Sequence, residues 1–277
     1  MDLSTVDAIS MPRRRDELWP IGPSDAVLAG GTWLFSEPQL STRRLVDLSA
    51  LGWEPVLVTG DGIELAATCT VARVSTLSAE LVQTHPHWSA APLLHHCCTA
   101  LLASFKVWGE ATVGGNLCLS FPAGSMISLC SALDGEVLVW RADGEDYRLP
   151  VAQFVTGDSA NVLSVGEVVR SVHLPAAALR GRTAFRKLAP SPLGRSGIVV
   201  IGRVDDDGAF TLSITAATVR PFVVTLPSVD VDAVRRAHAG IPDDAWTDDP
   251  HGDPDWRRGV SLVLAEQICA ELGGSHP

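Results

Sequence analysis

The sequence is short of positive charge, and that shortage removes one class of partner at once. Lys and Arg number 21 against 32 Asp and Glu, a formal net charge of −11 at pH 7. Binding to nucleic acid needs clustered cations that displace counterions from phosphates, so the charge argues against such a partner. The acidic excess is partly local. Asp205-Asp206-Asp207 reads as a hairpin tip, and Asp243, Asp244, Asp248, Asp249, Asp253 and Asp255 as a polar loop before a helix, both solvated. No apolar run approaches the roughly 18 residues of a membrane span. Arg13-Arg14-Arg15 follows a strand-like stretch instead of preceding an apolar segment, which is not signal-peptide order. A cytoplasmic protein is expected.

Cysteine pairs at metal-ligand spacing are also missing. Cys69, Cys97, Cys98, Cys118, Cys130 and Cys269 contain no CxxC and no recurrent interval, as a disulfide framework or an iron-sulfur site would require. They read as small buried hydrophobes. His95-His96-Cys97-Cys98 does not make a metal cluster, because successive residues on a helix point about 100° apart. Neither GxGxxG nor GxxxxGK[ST] occurs, which disfavours a Rossmann site and a P-loop.

What is present is a mixed pattern of the α+β class. Short apolar runs at Val6 to Ile9, Ala26 to Ala29 and Leu45 to Asp47, with a brief helix near Arg13 to Trp19, predict a small βαββ unit. Val56 to Thr59 and Ile63 to Ala66 flank Asp61-Gly62, a hairpin-turn dipeptide. Helical spacing follows over Thr70 to Leu81 and Ser89 to Ser104, then a helix from Pro122 through Leu133 and a strand at Val137 to Trp140. The Phe154 to Val169 stretch closes this part. After Pro175 and Ala176-Ala177-Ala178 the pattern becomes an antiparallel meander (Thr183 to Leu188, Gly197 to Val204, Ala209 to Thr218) and one closing helix over Gly252 to Leu272.

Two glycine pairs carry the chemistry. Val27 to Leu34 leaves a strand directly into Ala29-Gly30-Gly31-Thr32-Trp33-Leu34. Without Cβ atoms, Gly30 and Gly31 let consecutive N–H groups face one anion. Each such bond is worth about 1.5 to 3 kcal/mol, enough for several to hold a pyrophosphate without a lysine. Thr112-Val113-Gly114-Gly115-Asn116 repeats the chemistry, with Thr112 and Asn116 adding side-chain donors. Two such loops are expected to clamp a dinucleotide from both sides.

The segments AGGTWLF at Ala29 to Phe35, LVDL at Leu45 to Leu48, ASFKVWGEATVGGNL at Ala103 to Leu117 and LDG at Leu133 to Gly135 resemble the FAD-binding medium subunits of molybdenum hydroxylases. That is the family of carbon monoxide dehydrogenase, bacterial nicotine and xanthine dehydrogenases, and the FAD domain of xanthine oxidase. GEVVRSVHLP at Gly166 to Pro175, TAFRKLA at Thr183 to Ala189 and DPDWRRGVSLVLAEQI at Asp253 to Ile268 extend the resemblance over nearly the whole chain. It implies a PCMH-type (vanillyl-alcohol-oxidase-like) FAD-binding domain over residues 1–175, in two α/β subdomains of about 1–55 and 56–175. A C-terminal flavoprotein domain of antiparallel sheet and helices would follow over 176–277.

The resemblance also implies roles. Ala29, Gly30, Gly31, Thr32, Trp33 and Leu34 with Thr112, Gly114, Gly115 and Asn116 would wrap the FAD pyrophosphate, Val169 would pack against the isoalloxazine, and Lys187 (or Arg186) would sit near the ring. The FAD would be noncovalent, no His or Cys in the loops being placed to attach it. Molybdopterin would reside in a large partner subunit and [2Fe-2S] clusters in a small one, with NAD or another carrier as acceptor. The chain departs from the family at Trp108-Gly109, where Arg-Asn is usual, at Ser125, where many members have Asp but where serine, though uncharged, would still bind the cofactor through a ribose or ribityl hydroxyl, and at Pro190-Ser191, where an Arg is expected. These departures leave two alternatives beside the flavin subunit: a scaffold subunit with weakened FAD binding, and a self-sufficient flavin oxidoreductase.

Overall fold

The N-terminal strands β1 (Ala8–Ser10), β2 (Asp25–Leu28) and β3 (Arg44–Asp47) form a parallel sheet in the order β1-β3-β2. The computed structural model describes residues 3–191 and 194–274. The helix expected over 13–19 is a single 3-10 turn, Arg15–Glu17, with no buried residue. Its composition explains this: a run of arginines and acids has no apolar stripe to bury, so nothing pays for a longer helix.

The second unit is a five-stranded sheet in the order β4-β5-β10-β6-β7, from β4 (Val56–Thr59), β5 (Gly62–Ala66), β6 (Glu136–Trp140), β7 (Tyr147–Pro150) and β10 (Val168–Pro175). The predicted hairpin forms, shifted by one residue. Thr59 pairs with Gly62, so Gly60-Asp61 make the turn and Gly62, at φ +143°, begins the strand. A side chain at Gly62 would overlap the Leu174 carbonyl of β10. One face carries α1 (Val71–Thr84), α2 (Ala91–Ala100), α3 (Phe105–Glu110), α4 (Val113–Leu119), α5 (Ser125–Ala132) and α6 (Val151–Phe154), with the small hairpin β8 (Val155–Gly157) and β9 (Ala160–Asn161) alongside.

The third unit follows α7 (Ala176–Arg180). Strands β11 (Arg182–Leu188), β12 (Ile198–Val204), β13 (Phe210–Thr215) and β14 (Phe222–Leu226) form an antiparallel meander backed by α8 (Val231–Ala239) and α9 (Pro254–Gly273). This sheet is buried on both faces. Val199 and Ile201 join the large core of the second unit, whereas Ile198 and Val200 point into the core under α9. That sharing explains the uninterrupted apolar run from Ile198 to Ile201, where alternation would be expected of a sheet wetted on one side. Polar ties lock the seam: Ser128 and Thr215 hydroxyls lie 2.6 Å apart, and buried Arg203 donates to the Ala132 carbonyl and pairs with Asp134 and Asp205.

Candidate functional site

The first glycine loop leaves the C-terminal end of β2 and turns on Gly31, whose φ of +67° is left-handed and suits only a residue without Cβ. The turn is closed by Phe35 N–H to the Gly31 carbonyl at 2.8 Å and by the Ser36 hydroxyl to the Thr32 carbonyl at 2.6 Å. The backbone N–H groups of Gly30, Gly31, Thr32, Trp33 and Leu34 find no acceptor among the described residues. A run of unspent donors around a left-handed residue is the geometry of an anion-binding nest. Gly30 sets the loop against the second one: a Cβ there would overlap the Glu110 carbonyl and press to 3.2 Å from the Thr112 methyl.

The second loop is built differently, and here the expectation of an exposed set of donors is corrected. Thr112 is the N-cap of α4, its hydroxyl accepting from Gly115 N–H at 3.1 Å. Val113 N–H donates to the Cys69 carbonyl, Gly114 N–H to the Ala67 carbonyl and Asn116 N–H to the Thr112 carbonyl. Those donors are spent inside the protein. Gly114 is a packing glycine, since a Cβ would stand 2.5 Å from that of Ala67. The Asn116 side chain accepts from Met126 N–H at 2.8 Å and so holds the start of α5 against α4.

Ser125 opens α5 with its side chain wholly buried and its hydroxyl without a hydrogen-bond partner among the described residues. Burying an unpaired hydroxyl is costly, and the Ser131 and Ser213 hydroxyls share that state, but Ser125 alone of the three opens the helix that Asn116 of the second loop holds in place. Val169, 4% exposed, lies in the large core just before the β-bulge that shifts the β10–β6 register, and has almost no surface left for an isoalloxazine ring. Lys187 is exposed on β11 and its ammonium donates to the Thr99 carbonyl in the last turn of α2, at 2.8 Å, a cation on a helix C-terminus. Trp108 is packed against the large core with its indole N–H unpaired, whereas a Cβ at Gly109 would meet open space.

Two residues that the sequence reading passed over join the first loop. Trp33 is 41% exposed and meets the Phe121 ring edge-on at 4.7 Å, and the Arg195 guanidinium stands 6.0 Å from that ring. Nothing local in the sequence marks either one. The cysteines behave as read: all are free, and burial pushes the thiols of Cys69, Cys98, Cys118 and Cys130 up to about 12.

Residues 9–177 match the family model described as the FAD binding domain in molybdopterin dehydrogenase. This chain belongs to that family. Its fold is similar to that of quinoline 2-oxidoreductase from Pseudomonas putida 86, at 18% identity and a TM-score of 0.78 over 98% of both chains. It is likewise similar to carbon monoxide dehydrogenase from Hydrogenophaga pseudoflava lacking the Mo-pyranopterin moiety, at 18% identity and TM-score 0.80 over 96% of this chain and 97% of that one. Reconstituted carbon monoxide dehydrogenase from Oligotropha carboxidovorans gives 18% and 0.80 over 98% and 99%. No curated protein sequence matches the chain. FAD is therefore the cofactor of the family, and the residues present fit it: the unspent N–H run from Gly30 to Leu34 suits a pyrophosphate, and the orphaned Ser125 hydroxyl suits a ribose or ribityl hydroxyl. Among the described residues no helix is long and apolar enough to cross a membrane.

Proposed function

We propose that this chain is the electron-transferring flavin subunit of a molybdenum-dependent hydroxylase or dehydrogenase, working in the cytoplasm. It would take electrons from [2Fe-2S] clusters of a small partner subunit and pass them to an external acceptor, NAD or another carrier, while a large partner subunit holds molybdopterin and the substrate. The observation that carries the reading is the first loop, whose unspent N–H groups suit a pyrophosphate and which lies within the residues that match the family model. Residues 1–175 would bind FAD, with Gly30 to Leu34 on the pyrophosphate and Ser125 on a sugar hydroxyl, and residues 176–277 would close the flavin end. When bound, flavin accepts electrons singly and releases them in pairs, which suits a junction between clusters and a two-electron acceptor. The chain's own part is to hold the dinucleotide, exclude water from it and present it to its partners.

The cysteines, mostly buried and without CxxC spacing, give no ligand set for a cluster among the described residues, so the clusters belong to a partner in this reading. Pull-down of the tagged chain from its native cell, followed by metal analysis and a visible spectrum, tests it. Co-recovery of molybdenum, iron and flavin is expected. A monomeric, metal-free protein that oxidises an organic substrate at about 1 per second or faster would overturn the reading.

A further inference from the structure

We propose that Arg195, in the segment leading into β12, supplies the positive charge that the first loop lacks and pairs with the FAD pyrophosphate. Arg195 stands three residues before β12, and its guanidinium lies against Phe121, whose ring meets Trp33 of the loop. It is half-buried, and among the described residues it has no carboxylate and no hydrogen-bond acceptor. Half-buried Arg44 is compensated by Asp25, and the fully buried Arg203 and Arg257 by Asp134 and Asp205 and by Asp249 respectively. Arg170 instead lies over the Trp53 and Trp140 rings. A half-desolvated guanidinium without a counter-charge, in a protein of net charge −11, is an anion site waiting for its anion.

The neighbourhood sharpens the point. Burial depresses the pKa of the Arg257 guanidinium, Asp249 opposes that shift, and the like charge of Arg195 adds to it. Arg195 is therefore near enough to act on Arg257, whose own charge is balanced by its ion pair with Asp249 and by nearby Asp248. The first loop offers only neutral N–H donors, and a pyrophosphate carries charge that such donors stabilise less well than a guanidinium does. Because Arg195 belongs to the third unit and Trp33 to the first, the dinucleotide would bridge the two ends of the chain.

The proposal rests on FAD being the cofactor, and the test separates the two ideas. FAD and ADP are titrated into the full chain, wild type and the variants Arg195→Ala, Arg195→Gln and Arg195→Lys, with thermal melts of the unliganded proteins as a fold control. Arg195→Ala and Arg195→Gln are expected to weaken FAD and ADP alike by about 10-fold to 100-fold. Arg195→Lys should restore part of the loss, and the unliganded melts should coincide. Unchanged affinity in Arg195→Gln, or a loss for FAD with none for ADP, overturns the pairing, the second result placing Arg195 at the flavin end instead. A wild-type chain that takes up neither ligand overturns the cofactor assignment itself.

Discussion

The two Gly-Gly pairs look alike as sequence and behave as opposites in the fold. Around Gly30-Gly31 the backbone donors are left over, because the loop comes off the edge of a small parallel sheet and closes on its own carbonyls. Around Gly114-Gly115 the donors are taken by Ala67, Cys69 and Thr112, because the segment is the first turn of a buried helix. One pair leaves its donors open to a ligand, whereas the other is a close-packing device, and the Glu110 carbonyl and Thr112 methyl at its edge pack against Gly30. Paired glycines report that something approaches the backbone closely; they do not report whether it is a phosphate or another piece of chain.

Three substitutions test this contrast. The largest effect is expected from Gly31→Val, which forces a branched side chain into a left-handed φ and within 2.5 Å of the Phe35 ring. The strain is about 1 to 3 kcal/mol, and a partly exposed loop can shift to relieve much of it at the expense of the cradle geometry, so FAD should be lost after dialysis while the unliganded chain melts lower by less than Gly114→Val does. Retained flavin absorbance would show that the first loop is only a turn.

Gly114→Val should reverse the pattern. Its side chain would be driven into the Ala67 backbone at the centre of the large core, an overpacking cost of about 1 to 3 kcal/mol. The unliganded chain is expected to melt lower by about 2 to 10 °C, with any loss of FAD secondary to that. A variant that melts normally and yet fails to hold FAD would erase the distinction between the loops.

The smallest effect belongs to Ser125→Ala, and its sign is what matters. Deleting an unpaired buried hydroxyl should leave the unliganded chain as stable or slightly more so, while FAD binding weakens by roughly 0.5 to 1.5 kcal/mol. Equal FAD affinity by titration would mean that the hydroxyl meets no part of the cofactor.

Much of the architecture was legible because it follows from periodicity. The Val56 to Ala66 hairpin, the α1 and α2 stripes and the β11 to β13 meander all rest on apolar residues at strand or helix spacing. What escaped was short or polar. Helices α3 and α4 are too brief for a hydrophobic period to show and are capped by Ser104 and Thr112, and α8 lies between the meander and the acidic loop, in a segment for which no element was expected. The Pro122 helix begins later, at Ser125, once Gly124 has released the chain from the Phe121 turn.

By itself the sequence determined which faces would be buried, that the cysteines would be inert, and where the backbone had to be bare of Cβ atoms, since these depend on residue type and local spacing. Only the tertiary structure decided which bare backbone kept its donors free. That outcome depends on the carbonyls of Ala67 and Cys69 arriving beside α4, and on no acceptor among the described residues arriving at the N–H groups of the first loop, although the Glu110 carbonyl and the Phe121 ring pack against it. A donor's availability is a property of what packs against it, which no local pattern contains.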